Sequence, residues 1–175
     1  EKVSINLTTQ MLATIFDFPF ADRHKLPYWS DMATSLPDAT GSDGDVDART
    51  VALQECLAYF TELWHQRKNN PPDTMDLISL LATNPATRNM VDDPLEYLGN
   101  LILLIVGGND TTRNSITGGV LALHENPDQF AKLRSNLNLI PSMVSEVIRW
   151  QTPLMHMRRI ATRDIELGGK TIRKG

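Results

Sequence analysis

The sequence has 175 residues and 41% hydrophobic content, which suits one globular domain of medium size. A net charge of −4 gives no basis for nucleic-acid binding, and the single cysteine excludes an internal disulfide. With no signal peptide and no apolar run of spanning length, the composition predicts a cytoplasmic protein without a membrane span. The absence of an initiator methionine, and an end that directly follows a strand-like pattern, predict one partial domain over residues 1–175, an internal segment of a longer protein.

Apolar residues at helical spacing predict amphipathic helices over residues 3–16, 21–35 and 48–68, and a short helix over 76–82. The intervening residues 36–47 are rich in Asp, Gly, Ser and Thr, which predicts an exposed loop. Cys56 lies inside the third helix without a Cys or His partner at ligand spacing. We therefore expect an inert, partly buried thiol there.

The longest predicted helix begins near residue 93 and has roughly 30 residues. Asp93 suits the N-cap position, Pro94 suits the first turn, and Glu96 is placed to complete a capping box. The Asn126-Pro127 pair disfavours further helix. Residues 101–106 are apolar on nearly every side of this helix, so we expect it to be buried in a large protein.

The middle of this helix contains residues that disfavour helix. Gly107 and Gly108 are followed by the polar residues 109–112, and such conflicts tend to mark functional sites. The Thr111 hydroxyl can bond the carbonyl one turn back, the glycines leave room for a flat ligand, and Asp110 is a possible proton source. In the alternative interpretation, the glycines permit a close helix crossing in a non-enzymatic helical binding module.

After this helix, the pattern predicts helices over 127–134, with Asn126 as N-cap, and over 141–150, followed by a β-hairpin within 160–172. Glu146 and Arg149 are placed to pair, and their apolar neighbours predict that the pair is buried. Arg158 and Arg159 either hold a ligand carboxylate or phosphate, or are solvated charges. The predicted fold class is mainly α with a small β-hairpin at the C-terminal end.

Three features occur in order: residues 107–112 in a long helix, Glu146-x-x-Arg149 in a later helix, and Arg159 before a hairpin. Together they resemble a cytochrome P-450, a haem-thiolate monooxygenase, over essentially the whole chain. The resemblance implies the central part of that fold. The run GGNDTTRNSITGGVLAL, with HMRR downstream, is most similar to the soluble bacterial alkane and fatty-acid terminal hydroxylases.

The resemblance also implies roles for individual residues. Asp110 and Thr111 would be the catalytic acid–alcohol pair that delivers protons during oxygen activation. The remaining implied sites are haem contacts at Gly107, Gly108 and Arg159, the last on a propionate; a substrate pocket of Leu103, Val106 and Leu154; and a structural network of Glu146 and Arg149.

The implied reaction inserts one oxygen atom of O2 into an apolar small molecule, an alkane or a fatty acid. A ferredoxin and its NAD(P)H-dependent reductase would supply the electrons. The family carries its haem-ligating cysteine in a loop Phe-x-x-Gly-x-x-x-Cys-x-Gly after the Glu-x-x-Arg helix. The sequence has no such loop, so we expect the ligand outside this segment, the segment alone to be inactive, and no metal site made by its own residues.

Overall fold

The computed structural model describes residues 2–35, 43–69 and 76–175, with residues 43–46 described by their backbone alone. The α-helices are α1 (Lys2–Phe16), α2 (Lys25–Thr34), α3 (Asp43–Asn69), α4 (Leu77–Thr83), α5 (Pro94–Glu125), α6 (Pro127–Ser135) and α7 (Ile140–Gln151). Short 3-10 helices lie at Phe20–Asp22, Met90–Asp92 and Leu137–Leu139, and the strands are β1 (Ile165–Leu167) and β2 (Lys170–Ile172). The predicted fold class, mainly α with a small hairpin, is confirmed.

The element boundaries differ from the predictions in two places. The helix predicted over 21–35 is a 3-10 turn followed by α2. The loop predicted over 36–47 is wrong at its C-terminal side, because α3 already begins at Asp43. Residues 36–42 lie outside the described residues. Polar composition predicts a loop, but it does not prevent residues from forming the first turn of a helix.

The core lies between α1, α2, α3 and the first half of α5. Its large buried side chains include Leu12, Phe16, Phe18, Leu26, Trp29, Phe60, Trp64, Tyr97, Leu101 and Ile105. Phe18 stacks on Tyr59 with ring centroids 4.8 Å apart, and Trp64 meets Tyr97 edge-on at 5.0 Å. The Tyr97 hydroxyl donates to the Phe60 carbonyl at 3.0 Å, so its polar tip is satisfied inside the core. Because each such side chain stabilises the fold by about 1.5–3 kcal/mol, this cluster fixes the position of α5.

The ends of α5 are set by local hydrogen bonds. The Asp93 carboxylate accepts from the amides of Leu95 and Glu96, each at 3.1 Å, which confirms its N-cap role. The Asp93 amide donates to the Met90 carbonyl at 3.3 Å, so it is not available for the predicted capping box with Glu96. Asn126 is the N-cap residue of α6, as predicted, but its side chain donates back to the Ala122 carbonyl at 2.8 Å and makes no hydrogen bond that caps α6.

The two sides of α5 differ in burial. Leu101, Ile105 and Asn109 are fully buried, whereas Leu103 is 68% exposed. Within the described residues, one side of the apolar run 101–106 is covered, and the expected burial of the run in a larger protein stays a prediction. Its neighbours α1 and α2 cover one side, and Leu103 lies on the opposite side, which we call the open face of α5.

Polar bonds fasten α1 to the buried side of α5. The Thr8 hydroxyl donates to Asn109 Oδ1 at 2.8 Å, and the Ser4 and Thr117 hydroxyls lie 3.1 Å apart. These contacts satisfy polar atoms that would otherwise be buried without a partner. They also set the position of α1 along α5, because each bond joins one particular residue to another.

The C-terminal elements rest on the second half of α5. A Cβ on Gly119 would lie 3.2 Å from Val147, and one on Gly118 would overlap the Gln151 side chain, so the two glycines let α7 approach closely. In the hairpin, Gly168 and Gly169 have φ of 58° and 72°, as a two-residue type I′ turn requires, which confirms the predicted turn. Within the described ranges, no helix is both long and apolar enough to cross a membrane.

The Thr8–Asn109 bond should contribute measurably to stability. Thr8→Val keeps the shape of the side chain but removes the donor, leaving Asn109 Oδ1 without its partner. We expect a loss of about 1–3 kcal/mol in the free energy of unfolding, measured by chemical denaturation. Thr14→Val on the same helix is the matched control, because Thr14 is exposed and bonds only the Gln10 carbonyl. Equal losses in both variants would contradict a structural role for the buried bond.

Candidate active site

The open face of α5 is centred on Gly107. Gly107 is exposed, and a Cβ added to it would meet no atom within 4 Å. Thr111, one turn later, donates its hydroxyl to the Gly107 carbonyl at 2.8 Å, which confirms the predicted back-bond. Leu103 lies one turn earlier on the same face. A flat molecule could therefore reach the backbone of α5 between an apolar side chain and a hydroxyl.

Gly108 lies against a neighbouring helix, whereas Gly107 faces open space. A Cβ on Gly108 would lie 2.7 Å from Cδ2 of Leu12, which is a buried residue of α1. The expectation that Gly108 also faces a ligand is therefore wrong for this structure, because one residue turns the helix by about 100°. Each glycine fits one of the two interpretations of the pair: Gly108 permits a close helix crossing, and Gly107 leaves open space.

Asp110 lies at the contact between α2 and α5. The Ser30 hydroxyl donates to Asp110 Oδ2 at 3.1 Å, and Arg113 Nη2 lies 2.7 Å from Oδ1. Arg113 Nη2 also lies 3.5 Å from Oδ1 of Asp31. The Asp110 carboxylate is thus held by partners that the sequence analysis did not identify.

Three residues at this site were missed by sequence reasoning. Asn109 is fully buried, and a signal for it existed, since it follows Leu101 and Ile105 at helical spacing on the buried side. Arg113 also had a signal, because it lies three residues after Asp110 on the same helix. Ser30 had none: a serine in an amphipathic helix does not indicate which distant helix it will contact.

Glu146 and Arg149 form the predicted pair, with two parallel bonds of 2.7 Å and 2.6 Å. The hydrogen bond from Arg149 holds the pKa of the Glu146 carboxyl below its usual range. The predicted burial is wrong for the described residues, because the two side chains are 58% and 66% exposed. The physical reason is that α7 packs on α5 through Val147, and this contact leaves the Glu146–Arg149 side of α7 uncovered.

The other predicted site residues do not form a closed pocket. Val106 is half-buried, while Leu103 and Leu154 are 68% and 54% exposed. Arg159 is exposed and donates to the Arg158 carbonyl at 2.7 Å. A separate cleft of about 470 Å³ lies where the end of α5 meets α6 and α7, and its lining includes Leu123, Met143 and Trp150 but not the residues of the open face.

Cys56 lies in the core and not at the open face. It is fully buried, and burial raises the pKa of its thiol to about 12. It is thus more buried than the sequence predicts. A thiol in this environment stays protonated near neutral pH and is a poor metal ligand.

Comparison with known proteins gives a consistent result, although no family model matches the chain. The steroid C26-monooxygenase of Mycolicibacterium smegmatis is 34% identical over 100% of the chain and 39% of that protein. The structure of cytochrome P450-153 from Novosphingobium aromaticivorans is 46% identical, with a TM-score of 0.83 over 99% of the chain and 40% of that structure. P450BioI, solved with an acyl carrier protein ligated to hexadec-9Z-enoic acid, is 32% identical, with a TM-score of 0.82 over 99% of the chain and 44% of that structure.

The two solved structures share the helical fold described above, in which α5 carries Gly107 and Thr111. The chain belongs to the cytochrome P450 family. It spans about two fifths of the length of the relatives that it matches.

The burial of Cys56 predicts low reactivity. At pH 8 the native protein should react with a thiol reagent about 100-fold more slowly than the denatured protein, because the thiolate and the access path are both missing. Because folding raises the pKa of the Cys56 thiol, the protonated thiol contributes fully to the free energy of unfolding below about pH 8.5. That contribution is lost as the pH rises toward 12. Cys56→Ala, which has no thiol, is the control for reaction of the reagent at other groups. Labelling of the native protein as fast as that of the denatured protein would contradict the burial of Cys56.

Proposed function

We propose that this chain is part of a haem-dependent monooxygenase and forms the wall of its oxygen-binding site. The enzyme inserts one oxygen atom of O2 into an apolar substrate. The observation that carries this proposal is the open face of α5, where Gly107 leaves the backbone uncovered beside Thr111. Membership of the cytochrome P450 family supports it, since its relatives include named monooxygenases.

The open face fits a haem in two respects. A planar macrocycle needs a surface without protruding side chains, and the space next to Gly107 meets that need. The iron ligand must come from elsewhere in the protein, because Cys56 is the single cysteine here and is buried as a neutral thiol. When bound, the haem supplies the one-electron and O2 chemistry that amino-acid side chains lack.

In this proposal, Asp110 and Thr111 move protons at the open face. The Thr111 hydroxyl donates to the Gly107 carbonyl, which leaves its oxygen lone pairs free to accept a hydrogen bond from water. Asp110 is its neighbour in the chain, and 19% of its side chain remains exposed to solvent. A carboxylate that water can reach and a hydroxyl that faces the reacting site make a path for protons.

The proposed substrate is an alkane or a fatty acid. Leu103, Val106 and Leu154 offer apolar surface, which suits a hydrocarbon chain. The structure of P450BioI in complex with an acyl carrier protein ligated to hexadec-9Z-enoic acid supports this proposal. Electrons would come from a ferredoxin and an NAD(P)H-dependent ferredoxin reductase, as in the soluble bacterial hydroxylases that the sequence resembles.

The remaining predicted residues complete the proposal. Glu146 and Arg149 would belong to a structural network, in which the exposed pair on α7 takes further partners from the rest of the polypeptide. Arg159 would bind a haem propionate. Its exposed guanidinium leaves donors available beyond the one used on the Arg158 carbonyl.

The proposed function predicts hydroxylated products from the full-length protein. We expect terminal alcohols when the protein is supplied with alkanes or fatty acids of graded length, electron-transfer partners and NAD(P)H, with products identified by mass spectrometry. Haem binding without any hydroxylated product from this series would contradict the proposed substrate class. Absence of haem would contradict the function itself.

Substitution of Thr111 and substitution of Asp110 should change the reaction in different ways. Thr111→Ala should still consume NAD(P)H but release much of the reducing power as hydrogen peroxide, so product per NAD(P)H falls. Asp110→Asn should slow turnover, because removing a positioned proton-transfer group typically costs about 10²–10⁴-fold. The matched control is Thr112→Ala, an exposed threonine next to the pair that should leave both quantities near wild type. Wild-type ratios and rates in all three variants would mean that the polar break in α5 is structural.

Arg159 should matter more than its neighbour for haem retention. Arg159→Leu removes a charge-assisted hydrogen bond and should weaken haem binding by roughly tenfold or more in the full-length protein. Arg158→Leu is the control, because it removes an adjacent exposed charge of the same kind. The measurement is haem content after competition with a haem-binding protein, and equal losses in the two variants would contradict the propionate contact.

A further inference from the structure

Arg113 joins α5 to α2 through two carboxylates. Its Nη2 atom lies 2.7 Å from Asp110 Oδ1, on its own helix, and 3.5 Å from Asp31 Oδ1, on α2. The Arg113 and Asp110 side chains are 23% and 19% exposed. Charges this well shielded interact more strongly than charges in bulk water.

The second oxygen of Asp110 has a different donor. Ser30, which is fully buried on α2, donates its hydroxyl to Oδ2 at 3.1 Å. Oδ1 also accepts from the Asn109 side-chain amide at 3.4 Å, so Oδ1 is held from α5 and Oδ2 from α2. Contacts from two different helices restrict rotation about both side-chain bonds of Asp110 more than contacts from one helix would.

The helix α2 is itself held from its other side. Lys25 Nζ lies 2.6 Å from Glu55 Oε1, and the Trp29 indole donates to Glu55 Oε2 at 3.4 Å, so α2 is fastened to α3. Ser30 and Asp31 follow directly on the same helix. The donor to Asp110 Oδ2 and the outer partner of Arg113 thus stand on a helix that is supported from two sides.

We propose that Arg113 is a positioning residue for Asp110. With Ser30 and Asp31, it holds the Asp110 carboxylate at the edge of the open face, in the orientation from which the acid supplies protons. This inference rests on the proposed monooxygenase function and assigns it a residue outside the acid–alcohol pair. The Glu146–Arg149 pair offers a contrast: it has similar distances, but both of its side chains are more than half exposed, so solvent screens it.

The test is a double-mutant cycle in the full-length protein with its haem, its electron-transfer partners and a hydrocarbon that it hydroxylates. Arg113→Gln should lower kcat by about 10- to 100-fold while KM changes little, because a misplaced catalytic group slows chemistry and leaves substrate binding intact. Arg113→Lys, which keeps the charge, should recover most of the rate. In the Asp110→Asn background, Arg113→Gln should have no further effect on kcat. Arg88→Gln, which removes an exposed arginine, is the control.

A second measurement does not depend on activity. The fall in Tm caused by Arg113→Gln should be smaller in the Asp110→Asn background than in wild type, since the shared contact is already lost there. Additive falls in Tm would overturn the contact. Coupled Tm values with additive losses of kcat, or a raised KM in place of a lowered kcat, would overturn the positioning role.

Failure of the proposed function is recognised in the wild-type protein. Wild type that makes product, combined with Arg113→Gln that turns over at the wild-type rate, overturns only the positioning role. Wild type that holds haem but makes no hydroxylated product overturns the monooxygenase function, and the positioning proposal falls with it.

Discussion

The way in which α1 packs on the middle of α5 depends on the need of the buried Asn109 side chain for a hydrogen-bond partner. This amide is completely buried, and a buried polar group without a partner costs about 1–3 kcal/mol. Thr8 of α1 supplies the partner at 2.8 Å, so α1 can pack on α5 only in the position where the two meet. That position also brings Leu12 onto Gly108. Burying one side of the helix in this way leaves Gly107 and Thr111 on the other side, where a ligand can reach them.

Electrostatics and packing act together around Asp110. The aromatic core places α2 beside α5 and α3, and Lys25 and Glu55 add an ion pair at that contact. As a result, Ser30 faces Asp110, and Arg113 lies between two carboxylates. The same residues therefore stabilise the fold and determine where the acid points. Residues that disfavour helix raise the local free energy in the middle of α5, and these tertiary contacts offset that cost.

The C-terminal third of the chain is mostly exposed to solvent. In α7, Val144, Ile148 and Trp150 are all substantially exposed, and the hairpin strands are exposed along their length. Gly118 and Gly119 let α7 lie close to α5. Exposed apolar side chains on one helix commonly mark an interface. The Glu146–Arg149 pair lies on the same helix.

The sequence by itself determined the helical class, the start and end of α5, the Gly168-Gly169 turn, the Thr111 back-bond and the Glu146–Arg149 pair. All of these depend on residues within a few positions of one another, whose spacing fixes their geometry. Only the tertiary structure decided that Gly108 packs on Leu12 while Gly107 stays open, that Asp110 is held from α2, and that Glu146 is exposed. Those outcomes depend on which distant helix lies against which side of α5. Local spacing carries no information about that choice, because it is made by the packing of the whole core.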